Sequence, residues 1–332
     1  MSNPKPVCSV SLDLDNKWSY MKTHGDPAWE ALPSYLDLVV PRVLDLLRRL
    51  DWRITFFVVG QDAAREENRA AIAAISDAGH EIGNHSFHHE PWLHLYSRDR
   101  TQDEIAHAED AIGATTGERT IGFRGPGYSL SRATLEILHA RGYRYDASTL
   151  PTYLGPLARA YYFLTSGLSK EERKQRKALF GGVRDGFQPL KPYLWRLADG
   201  PLLEIPVTTM PLAKVPIHFS YLLYLSTYSR PLARQYFRTA LSLCRTTRTQ
   251  PSLLLHLLDF LGGDDVSELS FFPAMGISGA EKLERITGFL EMLGERFQVL
   301  PMAEHADRLL EPGDLQSRRW SRAEHPQAER RP

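Results

Sequence analysis

Cysteine is nearly absent: Cys8 and Cys244 are the only two in 332 residues. Thiols that far apart make neither a disulfide framework nor a tetrahedral thiolate zinc site. Net charge is absent too, with 40 Lys and Arg against 40 Asp and Glu. No global field therefore draws the chain to nucleic acid, and none is expected as a partner. No apolar run approaches the roughly 18 residues that a membrane span needs. The opening "MSNPKPVCSV" has no apolar stretch ahead of Cys8 that would serve as a leader or lipid-attachment signal, so the expectation is a soluble, cytoplasmic chain. There is no internal repeat.

What is present is an ordinary globular composition, 42% hydrophobic with a mean hydropathy of −0.33, enough for a sizeable core. The length suits one large domain or two modest ones. "VCSVSLDLD" reads as a first strand, "PSYLDLVVPRVLDLLRRL" as a helix interrupted at Pro41, and "RITFFVVG" as a buried strand. "NRAAIAAISDAG" is a helix closed by Gly79, followed by the strand "HEIGNH". A helix within 100–117, the strand "TIGFRGPG", a helix from Ser131 to Gly142 and the strand "YRYDAST" continue the alternation. Alternating strands and helices predict a parallel sheet or barrel. About 151–199 and about 211–250 break this rhythm, being rich in aromatics and leucine, with the strand "PLLEIPVTT" between them. The rhythm resumes with "SLLLHLLDF", the helix "SGAEKLERITGFLEMLGERF" and the strand "FQVLPM". Residues 1–312 read as one domain, and 313–332 as a charged, disordered tail.

Four stretches carry chemistry. In "SLDLDNKW", Asp13 and Asp15 are one residue apart at a strand end, so period-two geometry sends both carboxylates to the same side. They are either a capped turn or an acidic edge, or one ligates a metal while the other acts as a base. In "GHEIGNHSFHHEPW", His85 and His89 are four apart, and one helical turn would point both rings the same way. Twelve histidines produce such pairs by chance, so the pair needs a third ligand; Asp15 would complete a set of two nitrogens and one oxygen. His88 should point elsewhere, and His80 reads as structural. In "FRGPGYS", Arg124 is either a surface charge or the partner of Asp13, and the N–H of Gly127 is a candidate donor to an oxyanion. His256 follows "LLL" at another strand end.

Taken in order, the Asp-x-Asp, "HSFHH", "RGPG", "YDAS" and "LLLH" segments resemble the polysaccharide deacetylase (NodB-homology, carbohydrate esterase 4-like) family from about Val7 to Leu310. Here Leu14 separates two aspartates that are most often adjacent in that family. The resemblance implies a distorted (β/α) barrel of about seven parallel strands, with 151–199 and 211–250 as helical, aromatic insertions. It implies that Asp15, His85 and His89 hold one divalent metal, zinc first, with Co(II), Mn(II), Fe(II) or Ni(II) as alternatives. Asp13 would be the general base, Arg124 its orienting partner, His256 the general acid and Asp146 an aspartate that tunes His256. His218 competes with His256 as the acid, a structural histidine being its simpler reading. The implied activity is metal-dependent removal of an N-acyl group, acetyl first, from an amino sugar or sugar conjugate. Alternatives are a deformylase of a lipid-linked aminosugar, a cyclic-amide hydrolase, and a non-catalytic carbohydrate-binding barrel. An N-acylated sugar is the expected partner, and 151–250 is a candidate for peripheral contact with the inner membrane face.

Overall fold

The structure, a computed structural model, describes residues 4–155 and 183–320. Part of the first expected insertion (156–182) and the end of the tail (321–332) lie outside the described residues. Among the described residues the strands are β1 (Val7–Asp13), β2 (Thr55–Val58), β3 (Glu81–Asn84), β4 (Gly122–Phe123), β5 (Tyr145–Asp146), β6 (Tyr193–Arg196), β7 (Pro201–Glu204), β8 (Ser252–His256), β9 (Gln298–Leu300) and β10 (Ser317–Arg319). The helices are α1 (Lys17–His24), α2 (Leu36–Leu50), α3 (Gly60–Ala63), α4 (Glu66–Asp77), α5 (Arg98–Thr116), α6 (Arg132–Ala140), α7 (Phe219–Tyr228), α8 (Arg230–Thr246), α9 (Gly279–Gly294) and α10 (Met302–Leu310).

The strands form one sheet in the order β10-β6-β7-β5-β4-β3-β2-β1-β8, with β9 beside the first half of β1. Seven consecutive members, from β7 to β8, run parallel. Just past β7, the Thr208 N–H donates to Ser252 O at 2.8 Å and the Ser252 N–H to Thr208 Oγ1 at 2.8 Å. That contact brings the chain after β7 onto β8 and curls the sheet into the expected distorted barrel.

Both faces of the central strands are covered, which is why they read as near-continuous hydrophobic runs rather than as alternations. In β2, Phe56 packs outward under the helices with Val39, Val43 and Leu222, while Phe57 packs inward with Tyr145, Ile205 and Met302. Register then sets the function. Asp13 pairs with His256 and Phe57, Asn84 with Phe123, and Phe123 with Asp146. The chemistry-bearing residues therefore end their strands at one rim, the C-terminal face, where barrel sites are built.

The structure adds detail to three expectations. Helix α2 runs unbroken through Pro41. Proline there leaves only the Asp37 carbonyl without its helical partner, and both residues sit on the solvent side, where water replaces the bond. Residues 211–250, expected as a helical, aromatic insertion, hold α7 and α8, which connect β7 to β8. Their Phe219 and Phe237 rings lie 5.9 Å apart, and Phe237 lies 5.7 Å from Phe289 of α9, within the main core. Their aromatic content reflects burial against the barrel. The expected tail is ordered at its start, where β10 pairs with β6 and Trp320 lies 5.6 Å from Trp195. Cys8 and Cys244 are buried free thiols. No helix among the described residues is long and apolar enough to cross a membrane.

Candidate metal centre and active site

Asp13 ends β1 and Asp15 follows it, so both reach the rim on the same side. His85 and His89 are not on a helical turn as expected. They lie on a loop after β3 in which Ser86 (φ 62°) and His89 (φ 53°) are left-handed. The loop is clamped from several sides. Asn84 Oδ1 accepts from the Ser86 N–H at 2.8 Å, and buried Glu104 of α5 accepts from the Phe87 and His88 N–H groups at 3.2 and 3.0 Å. The Gly60 N–H also donates to Ser86 O at 2.9 Å. These bonds offset the cost of two non-glycine residues in the left-handed region and aim both rings at Asp15.

The Nε2 atoms of His89 and His85 lie 3.0 and 3.4 Å from Asp15 Oδ1, and the three ligand atoms all fall within 4.8 Å of one another. His85 Nδ1 lies 2.6 Å from Arg124 O, to which it must donate, and this leaves the Nε2 lone pair free. Asp15 Oδ1 is buried without a hydrogen bond of acceptable geometry among the described residues. Its other oxygen and its backbone are held by Tyr20, whose hydroxyl is 3.4 Å from Oδ2, and by Tyr35, whose hydroxyl donates to Asp15 O at 2.5 Å. Burial disfavours charge on both partners. Even so, His89 and His85 hold the Asp15 carboxyl well below the usual range, while Asp13 and Asp15 raise the His85 pKa. A buried carboxylate oxygen and two imidazole lone pairs with one common focus suit a divalent metal ion, so these residues fit one.

Arg124 is buried rather than on the surface, with 1% of its side chain exposed. Its Nη1 donates to Asp13 Oδ1 at 2.7 Å and to Ser11 Oγ at 2.8 Å, its Nε to Ala147 O at 3.1 Å, and its guanidinium lies 4.3 Å from the Phe57 ring centre. Asp13 Oδ2 is left on the side of His85, 3.9 Å from Nε2. Beyond Arg124 the chain turns sharply. A Cβ on Gly125 would sit 2.0 Å from Ser129 O, so only glycine fits, and Gly127 (φ 57°) and Tyr128 (φ 61°) are both left-handed.

A cavity of about 500 Å³ opens over this rim. Its walls include Asp13, Asp15, His85, His89, Gly127, Tyr128, His218 and His256, with Leu130, Leu150, Leu154, Pro216 and Phe272 as apolar surface. All the expected site residues except Arg124 and Asp146 line it directly. Arg124 acts from behind Asp13. Asp146 departs from expectation, since its hydrogen bonds do not go to His256. It accepts from the Ser148 hydroxyl at 2.7 Å, Ser148 accepts from the Gly125 N–H at 2.8 Å, and the buried Glu204 carboxyl lies against it. Strand order explains this, because β5 and β8 are not neighbours in the sheet. Asp146 therefore braces the Gly125–Tyr128 turn.

His218 lies 6.3 Å from His256, ring centre to ring centre, and its Nδ1 has no hydrogen-bond partner among the described residues. Burial, and then the charge of His256, push its pKa down to about 3, so it is neutral near pH 7. His88 pairs with Glu104 and His80 accepts from the Ile54 N–H, both away from the cavity. Sequence reasoning missed Glu104, Tyr128, Ser148, Ser220 and Asp259. The Asp three residues after His256 was the one local signal available.

A family model described as polysaccharide deacetylase matches residues 29–145. A peptidoglycan deacetylase of Helicobacter pylori is 27% identical over 169 residues, covering 49% of this chain and 55% of that protein. The peptidoglycan-N-acetylmuramic acid deacetylase PdaA of Bacillus subtilis is 37% identical over 86 residues, 26% of this chain and 32% of its own length. The chain thus spans about half the length, or less, of these relatives. Among solved structures, a candidate polysaccharide deacetylase from Mycobacterium smegmatis superposes with a TM-score of 0.62 at 21% identity, over 97% of this chain and 96% of the other. At that identity the likeness establishes the fold. The motifs converge on one rim, and the stretch matched by the polysaccharide deacetylase model, residues 29–145, takes in the histidine loop and Arg124.

Proposed function

We propose that this domain is a metal-dependent hydrolase that removes an N-acyl group, most simply acetyl, from an amino sugar or sugar conjugate. One observation carries the reading: Asp15 Oδ1 and the Nε2 atoms of His85 and His89 converge in a cavity that also holds an Arg-anchored carboxylate and a second histidine. The names of the relatives, peptidoglycan deacetylases among them, support the substrate class. A divalent ion on the three ligands, with zinc favoured by the two-nitrogen, one-oxygen set, would polarise the acyl carbonyl and acidify a water molecule. Arg124 fixes Asp13 Oδ1, leaving Oδ2 to accept the proton of the attacking water. The Gly127 N–H, on a turn braced by Ser148 and Asp146, would donate to the oxygen that gains charge. His256 gives its Nε2 proton to the departing nitrogen, and the products are a free amine and the carboxylic acid.

The test is metal content per chain, measured by plasma mass spectrometry on protein purified without chelator, paired with detection of acid released from an N-acetylated amino-sugar oligomer. The expected result is near one divalent ion per chain and released acetate, with both lost in His85→Ala. Absence of metal in both proteins, after added zinc as well, would overturn the reading.

A further inference from the structure

The hydrogen bonds at His256 lead to two residues that neither motif spacing nor the resemblance points to. Ser220 sits in the first turn of α7, two residues after His218, the N-cap residue. Its Oγ is 2.9 Å from His256 Nδ1 and donates to Asp259 Oδ2 at 3.1 Å. Asp259 Oδ2 also accepts from the backbone N–H of His256 at 2.9 Å, which closes a 3-10 turn directly after β8. Asp259 is 3% exposed. Behind it, buried Lys282 of α9 donates to Leu258 O at 2.9 Å and adds a positive charge next to the carboxylate.

A hydroxyl has one proton to give. A Ser220 hydroxyl that gives its proton to an ionised Asp259, the stronger acceptor, accepts in turn from His256 Nδ1. The chain of donors then runs from Nδ1–H to Ser220 to Asp259, leaving Nε2 as the ring nitrogen available to the cavity.

We infer that Ser220 and Asp259 are the positioning residues of His256: they hold its permanent proton on Nδ1 and turn its transferable proton, on Nε2, into the cavity. The inference rests on the reading of His256 as proton donor. It assigns to an α7 hydroxyl and the turn after β8 the task that the resemblance gave to Asp146. In the imidazolium form both nitrogens carry protons. The Nε2–H bond breaks as the proton passes to the leaving nitrogen, and the ring returns to the neutral Nδ1–H tautomer, which the Ser220 bond already favours. Asp259 stabilises the charged ring before transfer. The other groups facing His256 are Asp13 across the β1 register, His218 ahead of α7, and Tyr20 of α1, which adjoins Asp259. His218 opposes a charge on the ring, and Asp259 favours it.

The experiment uses the full chain with 15N- and 13C-labelled histidine, assigning His256 by its loss in His256→Gln. The expected wild-type result is a neutral Nδ1–H tautomer. Asp259→Asn should lower the His256 pKa by about one unit, Ser220→Ala by less, and Ser220→Thr should restore it. In turnover, the two disabling variants should lose about 10- to 100-fold in kcat. Because His256 acts protonated, the basic limb of the kcat profile should move to lower pH, with KM and metal content unchanged. An Nε2–H tautomer in the wild type, or a His256 titration unmoved in both variants, would overturn the inference. Ser220→Ala removes one oxygen atom, so it remains informative where Asp259→Asn fails to fold. The two readings separate cleanly. A shifted titration in a protein without deacylase activity sinks the hydrolase and keeps the positioning; an unmoved titration in an active enzyme does the reverse.

Discussion

The two sides of the cavity are built by different means. On the metal side every functional group is tied to the barrel interior. Asp13 is paired with a guanidinium that is itself buried between β1, β2 and the chain after β5, and the histidine loop is clamped by Asn84, Glu104 and Gly60. On the acid side His256 is held by one serine from a crossover helix and by the turn that follows its own strand. The first arrangement is costly to disturb, since its charges are paired with one another in the barrel. The second reaches its one buried carboxylate, Asp259, through a neutral hydroxyl, and removing that hydroxyl should show in chemistry before it shows in stability.

The comparison breaks most visibly at Arg124. Arg124→Ala would leave Asp13 buried without its partner, and the expected loss is about 3–5 kcal/mol of folding stability, together with activity. Urea unfolding with circular dichroism checks this, and a loss below about 1 kcal/mol would mean that water reaches Asp13 freely. A smaller effect belongs to His218 on the acid side. Its folded pKa, about 3, lies below the ordinary histidine value, so the stability that comes from keeping it neutral is complete above about pH 6.5. That contribution falls as pH drops toward 3, by about 1–2 kcal/mol between pH 6.5 and 5. His218→Leu should flatten the fall in unfolding midpoint over that range, and an unchanged slope would place the acid sensitivity elsewhere. The smallest effect sharpens the contrast: Asp146→Asn should leave the basic limb of the kcat profile within about 0.2 pH unit of wild type. A shift as large as that of Asp259→Asn would return the tuning role to Asp146.

Much of the metal side was legible in sequence. Asp-x-Asp on a strand obliges both carboxylates to share a side, and a histidine pair four apart is close enough for two rings to meet. The helical turn invoked for that pair was wrong, because left-handed Ser86 and His89 bend the loop instead, sustained by Glu104, which lies 16 residues from His88. The 211–250 crossover looked foreign because its aromatics face a core whose other half, α9, comes later in the chain. Asp146 shows the same limit: its hydrogen bonds go to Ser148 because β5 and β8 are separated in the sheet, a relation that linear order does not contain.

By itself, then, the sequence determined the alternation of strands and helices, the strand-end placement of Asp13, Asp15, Arg124 and His256, and the pairing of two imidazoles in the histidine loop. Each depends on backbone periodicity or on residue type within a few positions. Tertiary structure alone decided which groups meet: Arg124 with Asp13 across 111 residues, Ser220 with His256 across 36, and Glu204 with Thr149 across 55. Those meetings follow from sheet order and barrel closure, which are set by how whole faces pack, and packing leaves no local mark on the residues it brings together.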